Sequence, residues 1–202
     1  MVDTDPVPRG QRADARRNRD EILAVARDVL AEQGTQASLR DIARRAGVGL
    51  GTLYRHFPTR DALLETLLRE GFDRLARLAE TLRETHAPDE ALARWLQALA
   101  AGAGAYRGLP SSLAAALGEP GSALGASCRA LRDAGARLLL DAQERGLARQ
   151  DVTGEDMFAL VGAVASIAEP GGPFADRRDH LVRVLLDGLA PPAPPPPPAC
   201  HA

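Results

Sequence analysis

The stretch that decides the fold runs Ser38-Leu-Arg-Asp-Ile-Ala-Arg-Arg-Ala-Gly-Val-Gly-Leu-Gly-Thr-Leu-Tyr-Arg-His-Phe57. Its apolar members Leu39, Ile42, Ala43, Ala46, Val48, Leu53 and Phe57 have helical spacing on both sides of Gly47. Gly47 suits the left-handed position that ends a helix, and Pro58 stops the next one. Ser38 and Asp41 stand at capping-box spacing, with Asp in place of the usual Glu. The stretch therefore predicts two short helices joined by a tight glycine-containing turn. This is the helix-turn-helix unit, whose second helix brings its N-terminal residues to base edges in the major groove.

Outward from the unit, the spacing stays helical. Ile22, Val25, Ala26, Val29 and Leu30 form one face of a preceding helix that ends at Gly34. Thr59 is a good N-cap for a long fourth helix carrying Leu64, Leu67, Gly71, Leu75, Leu78 and Leu82. Some 24 residues at about 1.5 Å each reach roughly 36 Å, enough to connect two domains. Further helices are predicted at about 89 to 106, 111 to 117, 121 to 145, 154 to 168 and 175 to 189, divided by Pro110, Pro120, Gly146 and Pro170 to Pro173. No strand pattern and no internal repeat is visible, so the predicted fold is all-α with about nine helices.

Composition agrees. Of the apolar residues, Ala contributes 38 and Leu 29, against 13 Val and Ile together, which favours helices over sheets. The formal net charge of -2 hides an asymmetry. Residues 9 to 60 carry 11 Arg against 6 acids, whereas residues 61 to 202 carry 14 against 19, so one end is basic. All 25 basic residues are Arg. The expected division is a disordered arm over 1 to 15, a DNA-binding domain over 16 to 62 with its motif at about 38 to 57, a second helical domain over 63 to 190, and a Pro-rich disordered tail over 191 to 202. Uncharged apolar runs such as Met157 to Ala168 fall short of the roughly 20 residues that span a bilayer. The N-terminus lacks the charged and apolar regions of a signal peptide, and Cys128 and Cys200 have no motif spacing, so a cytoplasmic protein is expected. Histidines 56, 86, 180 and 201 are scattered, and no catalytic or metal-ligand set converges. Cys200 with His201 supplies only two ligands. Neither an enzyme nor a metal or cofactor protein is expected.

The chain resembles the TetR family of bacterial transcriptional regulators. The matching residues are Arg-Asp-Glu-Ile-Leu (19 to 23), Gly34, Leu-Arg-Asp-Ile-Ala (39 to 43), Ala-Gly-Val (46 to 48), Gly-Thr-Leu-Tyr-Arg-His-Phe (51 to 57) and Arg-Asp-Ala-Leu-Leu (60 to 64). The resemblance implies a double-stranded DNA operator, phosphate contacts from Thr52, Tyr54, His56 and Arg60, and base proximity for Gly49, Leu50 and Arg55. Gly51 lets backbone approach DNA, and Ser38, Arg40, Arg44 and Arg45 are candidates from the supporting helix. Many relatives carry a Ser cap followed by Lys where this chain has Gly49 and Leu50. One phosphate partner is therefore missing, and base readout by Leu50 is restricted to apolar contact such as a thymine methyl.

In the second domain, Trp95, Leu99, Gly102 and Tyr106 share a helix face, and Cys128 and Leu131 continue a second stripe. Two readings stand for these residues: ordinary core packing, or the wall of a pocket for a small, largely apolar effector. The last two helices are apolar on more than one side, which calls for cover by a second copy. Phe158, Val161, Ala165, Leu181, Leu185 and Leu189 are the candidate dimer contacts. The resulting expectation is a dimeric, ligand-released repressor without membrane association. The alternatives are a DNA-binding regulator controlled by a protein partner or by concentration, and a helical enzyme or ligand-binding bundle with an incidental helix-turn-helix.

Overall fold

A computed structural model of the protein describes residues 9 to 103, 111 to 119, 121 to 168 and 172 to 191. Nine α-helices and no strand occur among them: α1 (Arg9–Gln33), α2 (Leu39–Arg45), α3 (Leu50–His56), α4 (Arg60–Thr85), α5 (Pro88–Ala103), α6 (Ser111–Gly118), α7 (Ala123–Glu144), α8 (Gly154–Ile167) and α9 (Arg178–Leu189), with a 3-10 turn at Ala175–Arg177 before α9. The predicted all-α architecture is correct. Residues 1 to 8 of the expected arm and 192 to 202 of the expected tail lie outside the described residues, as do Cys200 and His201. Residues 9 to 15, expected in the arm, are instead the first turns of α1.

The helix ends follow from the punctuation. Gly34, Gly47 and Gly146 have φ of +75°, +65° and +67°, a conformation that only glycine adopts without steric cost. At Gly47 the amide of Val48 donates to the Ala43 carbonyl at 3.0 Å and that of Gly47 to Arg44 at 3.2 Å, closing α2 with a Schellman motif. At the start of α4 the Thr59 hydroxyl accepts from the Ala62 amide at 3.0 Å, as predicted.

The chain forms two compact units. The first comprises residues 1 to 72 and 104 to 128, and the second residues 73 to 103 and 129 to 202. The divisions fall inside α4, at the end of α5 and inside α7, and the first of them lies ten residues beyond the boundary expected after residue 62. The reason is burial: Leu63, Leu64, Leu67 and Leu68 of α4 belong to the same core as Ile22, Val29, Ile42, Leu53 and Phe57, and Leu113 of α6 and Leu124 of α7 join them. Seven-residue helices such as α2 and α3 are too short to persist alone in water, so this shared core sustains them.

In the second unit α5, α8 and α9 pack on one another. Trp95 and Leu96 of α5, Leu138 of α7 and Met157 of α8 are completely buried. Thr153 and Asp156 form a reciprocal capping box at the start of α8, with the Asp156 amide donating to the Thr153 hydroxyl and the Thr153 amide to the Asp156 carboxylate.

Candidate nucleic-acid interface

α2 and α3 are held by inward side chains, and what remains outside defines the candidate surface. Along α3, Leu53 is fully buried, whereas Gly51, Tyr54 and Arg55 are exposed on one face, with Tyr54 at 45 %. Thr52 and His56 are half-buried beside that face. Gly49 is the N-cap of α3. Its carbonyl accepts from the Thr52 and Leu53 amides at 2.9 and 3.1 Å, and no side chain caps the helix. Leu50, expected near bases, is half-buried and packs partly against the core of the first unit.

The structure redistributes the roles expected of α2. Ser38 is its N-cap, but its hydroxyl makes no capping bond. Asp41 is drawn elsewhere: its carboxylate accepts from Arg44 at 2.5 Å, from Arg45 at 2.9 Å and from the Gln33 amide nitrogen at 3.4 Å. The capping box predicted at Ser38 and Asp41 is therefore absent, because two guanidinium groups three and four residues on compete for the carboxylate. The Arg44 hydrogen bond holds the Asp41 carboxyl below its ordinary value. Arg45 also donates to Glu32 at 2.9 Å, and that bond holds its pKa above the usual one. Of the three α2 arginines, Arg40 alone is exposed with no acid partner among the described residues.

Arg60, whose position implied a phosphate contact, bonds backbone of its own chain. One of its terminal nitrogens donates to the Thr35 carbonyl at 2.8 Å and to the Ala37 carbonyl at 2.6 Å. It braces the loop between α1 and α2. Behind α3, the Arg19 guanidinium lies 5.7 Å from the Phe57 ring centroid and 3.5 Å from Glu70, which also accepts from Arg27 at 3.1 Å. The Asp41 hub was readable from its spacing to Arg44 and Arg45. The Glu70 cluster was not, since α1 and α4 lie far apart in sequence.

The residues proposed for an effector pocket are placed as follows. Trp95 is completely enclosed, its indole nitrogen donates to the Leu75 carbonyl at 2.9 Å, and its ring meets Phe158 edge-on at 5.7 Å. Leu99 and Leu131 are buried and Gly102 is half-buried. Cys128, a half-buried free thiol, belongs to the first unit, and Tyr106 lies outside the described residues. Core packing is thus what Trp95 does.

Three of the six residues proposed for dimer contact, Val161, Ala165 and Leu189, are buried within the chain itself. Phe158 is half-buried on Trp95, and Leu181 and Leu185 are half-buried. The apolar face left outside is a different one. On α8 it contains Ala159, Leu160, Ala163, Ser166 and Ile167, without a charge, and on α9 Val184. Ile167 and Val184 are 51 % and 52 % exposed.

Two short helices on a common core, joined by a glycine-closed turn and presenting an uncapped second helix, define a helix-turn-helix protein of the kind that binds DNA. Comparison with known proteins places it further. Residues 22–67 match the family described as bacterial regulatory proteins, tetR family, and residues 87–191 match the SbtR-like transcriptional regulator C-terminal domain. The TetR transcriptional regulator SCO0520 from Streptomyces coelicolor is 37% identical, with 87% of this chain and 99% of that one covered and a TM-score of 0.69. A TetR transcription regulatory protein from Mycobacterium vanbaalenii is 35% identical over 89% of this chain and 99% of that one, with a TM-score of 0.63. The transcriptional repressor KstR2 of Mycolicibacterium smegmatis is 38% identical over 76 residues, 37% of either chain. The chain matches little more than a third of the length of such curated relatives. It belongs to the TetR family of transcriptional regulators, proteins that are not enzymes.

Proposed function

We propose that the protein is a dimeric cytoplasmic repressor that binds an inverted-repeat DNA operator through α3 and is released by a small molecule. The single observation that carries the DNA-binding part is the exposed face of α3. Gly51 allows close backbone approach, Tyr54 and Arg55 extend from the same face, and Thr52 and His56 flank it. In this reading Tyr54, Thr52 and His56 contact phosphates, Arg55 reaches base edges, and Ser38, Arg40 and the α3 amides after Gly49 supply further contacts. Arg44 and Arg45 contribute only when DNA phosphates displace their acid partners. Dimerisation rests on the uncharged outer face of α8, since a contiguous exposed apolar patch marks an interaction surface and a two-fold copy covers it with itself. No helix among the described residues is long and apolar enough to cross a membrane.

A second reading, a regulator governed by a protein partner or by its own concentration, draws support from the filled core around Trp95, the expected site of an apolar pocket.

The testing experiment selects bound duplexes from a random DNA pool and measures their affinity at several salt concentrations. Two half-sites about one helical turn apart and a steep negative dependence of log K on log salt are expected. Enrichment of no repeat, or a flat salt dependence, overturns the reading. Tyr54→Ala should weaken every selected sequence alike, because a phosphate contact carries no base information.

A further inference from the structure

Within the second unit a cleft of about 330 Å³ opens between α5 and α9. This is within the size range of small-molecule sites, about 300 to 1,000 Å³. Ala100, Ala101 and Val182 give it apolar walls. Its charged lining comes from one helix: Arg178, Asp179 and Arg183 of α9. Asp179 forms no ion pair with either arginine, and neither arginine has an acid partner among the described residues.

Arg178 is held only in part. One terminal nitrogen donates to the Ala168 carbonyl at 3.1 Å, while its Nε is buried and has no acceptor among the described residues. A buried donor without a partner is rare in a folded protein, and a donor on a guanidinium beside an open cleft calls for an anionic acceptor. Two guanidinium groups against one carboxylate leave the lining with a single positive charge. That balance suits a monoanion better than a phosphate dianion.

We propose that this cleft binds a small amphipathic carboxylate. The carboxylate would lie between the Arg178 and Arg183 guanidinium groups, and its hydrocarbon would lie along Ala101, the exposed part of the apolar wall. At about 30 Å³ for each water of liquid volume, the cleft equals about 11 waters, room for a chain of roughly eight carbons. The inference concerns binding to the second unit alone and stands whether or not operator release follows.

Calorimetric titration of the full chain without DNA tests it, with octanoate as probe, octanamide as the uncharged control of equal length, and inorganic phosphate as the dianion control. Octanoate should bind about tenfold or more tighter than either control. Arg183→Gln, an exposed position, should weaken octanoate about fivefold or more and leave octanamide unchanged, and Arg178→Gln should do the same if it folds. Equal affinity for octanoate and octanamide, tighter binding of phosphate, no heat from octanoate, or an Arg183→Gln protein that binds octanoate normally each overturns the proposal. Because DNA is absent, any of these outcomes leaves the operator-binding reading intact.

Discussion

Trp95 owes its burial to the missing side chain of Gly135. A Cβ built on Gly135 would stand 2.3 Å from Cη2 and 2.7 Å from Cζ3 of the indole, and 3.1 Å from Cζ of Phe158. The glycine lets α7 approach the ring that Phe158 meets edge-on, and the indole nitrogen is fixed by the Leu75 carbonyl. Gly135→Ala should therefore destabilise the second unit by about 1–3 kcal/mol through overpacking, despite the better helix propensity of Ala. Urea unfolding followed by Trp fluorescence measures it. An alanine variant as stable as the parent would show that the ring has room to move.

Arg60 holds two loop carbonyls with one nitrogen, so Arg60→Ala should loosen the segment from Thr35 to Ala37 and destabilise the first unit by about 1.5–3 kcal/mol, the range for hydrogen bonds to a charged group. Hydrogen exchange at the end of α1 and the start of α2 should rise with it. If stability is unchanged and only DNA affinity falls, Arg60 is a phosphate contact as the family pattern implied.

Ile167→Asp and Leu160→Asp place a charge on the outer face of α8, where neither parent side chain is buried in the chain itself. Monomer folding should survive, and light scattering at micromolar concentration should show loss of the dimer. The same substitution at buried Val161 should unfold the monomer instead. A parent protein that is already monomeric removes the dimer from the proposed function.

The Thr153 hydroxyl and amide bonded to Asp156 hold its carboxyl below its ordinary value of 3.8. A carboxyl whose folded pKa is depressed contributes stability that is fully present above the unfolded value and is lost as pH falls through the folded one. Asp156→Ala should thus lower Tm at pH 7, and the difference from the parent should close as pH falls below about 3.8. A constant difference across that window would show that the capping box does not depend on the charge of Asp156.

How much of this was legible in the sequence depends on the range of the interaction. Gly34, Gly47 and Gly146 announced helix ends because backbone conformation is a local matter, and the helix-turn-helix followed from apolar spacing over twenty residues. The spacing from Ser38 to Asp41 and from Thr153 to Asp156 is the same, yet only the second pair forms a capping box. Asp41 has arginines three and four residues on, and Asp156 has none, so the competing partner decides. Three of the six dimer-face candidates turn into the chain itself for a related reason. Helices apolar all round do not reveal which stripe their own domain claims, and Val161 and Ala165 turn inward while Leu160 and Ile167 turn out. Arg60 and Glu70 acquire their partners from α1 and the loop after it, contacts that periodicity does not encode.

The pairing of arginines within the first unit has a consequence for how the protein finds its site. Arg17 is tied to Asp14, Arg19 and Arg27 to Glu70, Arg44 and Arg45 to Asp41 and Glu32, and Arg60 to backbone, which leaves Arg16, Arg40, Arg55 and Arg69 exposed without an acid partner among the described side chains. Attraction to bulk duplex scales with the number of phosphates neutralised, so each arginine tied to an acid of its own chain subtracts from the hold that unrelated DNA in a genome has on the protein. Occupancy of one correct sequence then depends less on outcompeting that reservoir, and a regulator present in few copies stays available to its operator.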